Sequence, residues 1–232
     1  MGTYFAYYLT GFIMIPVFIF ASFCQLKVKR SFNRYSTVMN KRGMTGADAA
    51  YKLLQLNGIN DVTIRKIGGT LTDYYDPRRK EICLSTDVYN SRSVAAIGVA
   101  CHEAGHACQH AQGYAPLKIR NAVIPITRIG SSLGVPLALF GMILYSEPMI
   151  YAGIILYGAV ALFQLITLPV EFNASKRALQ TIESNAFLDG EEYVGAKKVL
   201  TSAALTYVAA LASAIATLLR LFILTGRRNR DE

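Results

Sequence analysis

The chain has 232 residues, 53% of them hydrophobic, and a formal net charge of +9. The apolar residues are gathered in blocks, unlike those of one soluble globule. The positive charge lacks the interleaved aromatics of a nucleic-acid surface, so no nucleic-acid partner is expected. The cysteines Cys24, Cys83, Cys101 and Cys108 show no CxxC spacing, which argues against a disulfide framework or a zinc–thiolate knuckle and suits buried, small apolar residues.

From Thr3 to Leu26 there is no charged residue. At roughly 1.5 Å per residue that stretch crosses a hydrocarbon core of about 30 Å, so it reads as a membrane span. Lys27, Lys29, Arg30 and Arg34 follow the apolar run rather than precede it, as in a retained anchor and not a signal peptide. The same cluster places the segment from Lys27 onward on the cytoplasmic side, and it joins Arg227, Arg228 and Arg230 among anionic headgroups.

The next segment has ordinary soluble character. "TGADAAYKLLQLNGI" predicts a helix capped by Thr45 and stopped at Gly58. "VTIRKIGG" and "KEICLS" read as short strands joined through the turn-rich loop "TLTDYYDPRR". "KEICLS" could offer an edge to an extended substrate, or be an ordinary sheet edge. "SVAAIGVACHEAGHACQHAQG" predicts a helix capped by Ser93 or Asn90 and stopped at Gly113.

Two apolar blocks follow, Ile129 to Ser146 and Met149 to Leu168. They read as a transmembrane hairpin with a tight turn at Ser146, Glu147 and Pro148. Pro169 is placed to open a new helix, and a last block from Ala203 to Leu224 either spans or packs against the others.

All three histidines lie in "GVACHEAGHACQH". Residues four apart share a helix face, so His102 and His106 can direct ring nitrogens at one metal ion, with Glu103 about 100° around the helix in reach of a bound water. His110 stands about 12 Å along the helix from His102, too far for bonds near 2 Å. The third protein ligand is therefore not a histidine, and a carboxylate is the usual choice. Glu171 in "PVEFNASKRA" has Ala174, Ser175 and Ala178 on its face, small enough for close helix packing. Its simpler reading is an acidic residue in a first helical turn. Asp189 in "FLDG" is the alternative, similar to the aspartate ligand of site-2 membrane proteases. Glu171 is favoured because a hairpin of two crossings returns it to the membrane face of the histidines.

"HEAGHACQ", the following hairpin, "PVEFNASKRA" and "LTSAALTYVAALAS" together resemble the YugP-type bacterial membrane zinc metallopeptidases over most of the chain. E-x-x-A-S-x-x-A is also similar to the E-x-x-A-D-x-x-A motif of HtpX-type proteases and CAAX prenyl endopeptidases. The resemblance implies one zinc ion on His102, His106 and Glu171, with Glu103 as general base. Ser175 stands where the related motif has an aspartate that supports a ligand histidine. It brings no negative charge to that role.

The expected fold is mainly α with a small β-hairpin or sheet (α+β), a zincin-like metallopeptidase domain merged with a polytopic helical membrane bundle. Its expected parts are an anchor (1–26), a soluble zincin-like part with the HExxH helix (27–120), a transmembrane hairpin (121–168), a helix with the third ligand (169–200), and a fourth apolar helix with a basic tail (201–232). The expected function is zinc-dependent, membrane-embedded endopeptidase activity on peptides or membrane proteins by metal-activated water, in a multi-pass membrane protein with its catalytic part on the cytoplasmic side. Tyr207 and Arg120 are candidate oxyanion donors, each with an ordinary structural reading beside it. The alternatives are a site-2-like intramembrane protease using Asp189 and a non-catalytic scaffold with a structural zinc.

Overall fold

A computed structural model describes residues 2–228, with side chains described for residues 10–226. Arg230, and the side chains of Arg227 and Arg228, lie outside the described residues. The elements are α1 (Gly2–Ser36), α2 (Gly46–Leu56), β1 (Thr63–Ile67), β2 (Tyr74–Asp76), β3 (Glu81–Ser85), α3 (Thr86–Tyr89), α4 (Val94–Ala111), α5 (Ala115–Ile143), α6 (Glu147–Ser184) and α7 (Glu191–Arg228). The fold is mostly helical with one small sheet. Among the described residues four stretches, Thr10–Ser36, Ala115–Ile143, Glu147–Ser184 and Glu191–Gly226, are long and apolar enough to cross a membrane.

The chain forms two compact units, and α1, α5, α6 and α7 each contribute to both. The first unit comprises Met1–Gln25, Ile119–Leu168 and Thr206–Glu232. Within it α5 and α6 form a hairpin. Ser146 N–H bonds to the Gly141 carbonyl at 2.9 Å and Tyr145 takes φ 57°, a left-handed stop of Schellman type. The turn thus lies at residues 144–146, two residues earlier than the sequence suggested. Glu147 and Pro148 already belong to α6, because a proline in the first turn forfeits no helical hydrogen bond. Small residues let the two helices meet: a Cβ on Gly153 would lie 2.4 Å from the Ala138 nitrogen.

The second unit comprises Leu26–Lys118 and Pro169–Leu205. Thr45 caps α2 in a reciprocal box with Asp48, and Gly58 beyond its end has φ +68°. The sheet order is β1-β3-β2, with β1 parallel and β2 antiparallel to β3. The segment "TLTDYYDPRR" therefore contains a strand of its own. β3 is central, so "KEICLS" presents no edge, contrary to the sequence expectation. Its residues Ile82–Ser85 are all buried, the continuous run of a strand covered on both faces rather than the alternation of a half-exposed one. The edges belong to β1 and β2.

Ser93, and not Asn90, caps α4: its hydroxyl accepts from Ala96 N–H at 3.2 Å, while Asn90 ends α3. Gly113 follows α4 with φ +64°. Leu53, Leu54, Ile82, Leu84, Val94, Ile97, Ile182 and Phe187 are fully buried in this unit's core. Pro169 opens no helix, because α6 runs through it. A proline removes one backbone donor, whereas ending a helix among apolar residues would strand several peptide groups. All four cysteines are unpaired and buried. Burial pushes the Cys101 thiol far above its usual range and the Cys108 thiol up to about 11.

Candidate metal centre

Helix α4 carries His102, Glu103 and His106, and its neighbours Ala104, Gly105 and Ala107 keep its surface thin. A Cβ on Gly105 would lie 2.7 Å from the Ala174 carbonyl oxygen, so α4 and α6 touch backbone to backbone there. One turn before Ala174, Glu171 turns its buried carboxylate to the two histidines. Its Oε2 lies 3.3 Å from His102 Nε2 and 3.5 Å from His106 Nε2. One potential ligand atom from each of the three residues falls within a common span of 4.8 Å. Tetrahedral ligands with bonds of about 2.05 Å stand about 3.4 Å apart, so both His–Glu separations suit a shared ion. No other group of three or more metal-ligating side chains occurs among the described residues.

The far nitrogens of the two rings are held as well. Ser175 Oγ lies 3.0 Å from His102 Nδ1, and Gln109 Oε1 lies 3.0 Å from His106 Nδ1. Glu103 is buried beside the trio. Burial pushes its carboxyl up to about 7, with His102 opposing, Glu171 and Asp73 adding to the rise, and the Tyr75 backbone amide opposing. That amide belongs to the edge strand β2, so β2 runs past Glu103.

His110 is directed elsewhere. Its Nδ1 lies 2.8 Å from the Tyr75 hydroxyl, and it lines a cavity of about 320 Å³ with Asp61, Tyr75 and Lys80. Burial pushes the Tyr75 phenol up to about 12, so it keeps its proton.

Residues 10–226 match the family described as "Putative neutral zinc metallopeptidase". The chain belongs to that family. It is 46% identical over 221 residues to "Putative membrane protease YugP" of Bacillus subtilis (strain 168), a match covering 95% of this chain and 98% of that protein. No solved structure matches it.

For a member of the neutral zinc metallopeptidase family the donor set is apt: two imidazoles and one carboxylate would leave a tetrahedral ion one open position. Asp189 is not brought to the trio. Its carboxylate is 61% exposed and pairs with Arg42 at 3.6 Å. Arg120 and Tyr207 are half-buried residues of the first unit, whereas every member of the trio lies in the second.

Sequence reasoning missed Gln109, Asn173 and the Tyr75 amide. Gln109 stands three residues after His106, on the same helix face, and that spacing was the available signal. The Tyr75 amide had none, because a three-residue strand inside a turn-rich segment shows no alternation.

Proposed function

We propose that this chain is a zinc-dependent endopeptidase of the membrane, with His102, His106 and Glu171 as the zinc ligands and Glu103 as the general base. The observation that carries the reading is the convergence of the two Nε2 atoms on one Glu171 oxygen at 3.3 and 3.5 Å, with a buried carboxylate one residue along from His102. When bound, the ion would supply a Lewis acid and bring the pKa of its water toward about 7.

The protein's own groups do the rest. Glu103 takes the proton of the attacking water and delivers it to the leaving amine, and a carboxyl whose pKa is raised by burial toward working pH suits transfer in both directions. Ser175 and Gln109 hold the two rings at their far nitrogens, so the near nitrogens keep their direction. Strand β2, an edge strand that passes Glu103, can align an extended peptide by main-chain pairing. The substrates are peptides or membrane proteins. The basic residues after the first span support a cytoplasmic location for the catalytic part.

The deciding experiment measures bound zinc and peptide hydrolysis in the full-length protein and in Glu103→Gln. Zinc retained at one ion per chain with hydrolysis abolished supports the reading. Undiminished hydrolysis removes Glu103 from its role.

A further inference from the structure

Gln109 is fully buried, and its amide touches both helices that carry the trio. Nε2 donates to the Val170 carbonyl at 2.8 Å and to Asn173 Oδ1 at 3.0 Å, while Oε1 faces His106 Nδ1 at 3.0 Å. A backbone carbonyl can only accept. Asn173 Oδ1 is likewise held as an acceptor, because Arg177 Nε reaches it at 2.7 Å and a guanidinium only donates. Two acceptors thus fix which end of the Gln109 amide is nitrogen.

The consequence passes along the chain of contacts. The end of Gln109 that faces His106 is oxygen, an acceptor, so His106 Nδ1 carries the proton. In the neutral ring Nε2 is then a lone pair. It points at Glu171 Oε2, 3.5 Å away, which is also an acceptor. A cation between the two satisfies both.

The amide also acts on the carboxylate. Val170 and Asn173 bracket Glu171 along α6, one residue before it and two after, so a single side chain on α4 grips the backbone next to the third ligand.

We propose that Gln109 is a positioning residue of the metal centre: it fixes the tautomer of His106 so that Nε2 meets the ion, and it ties the Glu171 segment of α6 to the histidine helix. This rests on the metallopeptidase reading above.

The test begins with the unaltered full-length protein in detergent, zinc-loaded and labelled with ¹⁵N-histidine. Its three histidines give three ring signatures, and that of His106 is assigned by its loss in His106→Gln. The expected result is a protonated, slowly exchanging Nδ1 on His106. An unprotonated Nδ1 there overturns the proposal without any variant of Gln109 having to fold.

The second arm measures zinc affinity by competition with a chromophoric chelator. Gln109→Met keeps the length of the side chain and loses both hydrogen-bonding ends, so zinc should bind about 10- to 100-fold more weakly. Gln109→Glu keeps an acceptor for His106 and loses the donor to Val170, so its affinity should fall between the parent and the Met variant. If Gln109→Met binds zinc like the parent while His106→Ala does not, Gln109 has no such role and the metal site stands. If His102→Ala, His106→Ala and Glu171→Ala all leave zinc affinity unchanged, the metal reading fails and this inference with it.

Discussion

Gly105 lies against the Ala174 backbone so closely that a methyl group on it would stand 2.7 Å from the Ala174 carbonyl oxygen. The obstacle is backbone, which cannot swing aside as a side chain would. This contact sets the spacing of the two helices whose side chains form the trio, and Glu171 lies one turn from it.

Gly105→Ala should therefore force α4 and α6 apart, destabilising the fold by about 1–3 kcal/mol and lowering zinc content. Gly98 on the same helix is the control, since its added methyl would meet the Ala196 Cβ, Cα and carbonyl oxygen at 3.4, 3.6 and 3.7 Å, ordinary contact. Thermal melts with metal analysis should separate the two variants. Equal zinc content in both would show that the close approach does not govern the site.

Zinc should stabilise the protein by mass action. At a free concentration a hundredfold above the dissociation constant, the gain is about 2.7 kcal/mol. A chelator should lower the melting temperature of the parent and leave Glu171→Ala unmoved. A chelator-induced shift of equal size in Glu171→Ala would place the ion somewhere else.

Ser175→Ala removes the group 3.0 Å from His102 Nδ1. Loss of such a supporting contact usually weakens metal binding by about 10-fold or more. Helical content should be unchanged, because Ser175 is half-buried on a helix and alanine favours helix. Competition with a metal chelator reads the change in affinity, and circular dichroism the intact fold.

The cap of α2 gives a pH-dependent prediction that does not involve the trio. The Thr45 hydroxyl and backbone N–H both donate to Asp48, at 2.6 and 3.0 Å, and hold its carboxyl below the usual range. A pKa depressed in the folded state adds stability above the unfolded value of about 3.9, and loses it as the pH falls through the lower folded value. Thr45→Ala should cost about 1 kcal/mol at neutral pH, a difference that narrows in acid. Melting curves at pH 7 and below pH 4 check the sign.

The signals that could be read in the sequence were local ones. Thr45, Gly58, Ser93 and Gly113 bound their helices because caps and left-handed stops act within one turn. The four apolar blocks and the helical spacing of His102 and His106 are equally short-range. Glu171 was legible through the small residues on its face, which announce close packing without saying what is packed. β2 was not, since three residues are too few for alternation to show. The central place of β3 depends on which strands pair, and that is settled by contacts distant in sequence. Asn173 belongs to the same class, and so does the grip of Gln109 on α6, which arises only when α4 meets α6.

The buried state of all four native thiols makes the chain a ready background for site-directed labelling. A single cysteine introduced in the loop before α6, or in the polar stretch after α1, would stand out against silent native residues. Impermeant maleimides applied to intact cells could then assign each connection to its side of the bilayer without a cysteine-free parent having to be built first.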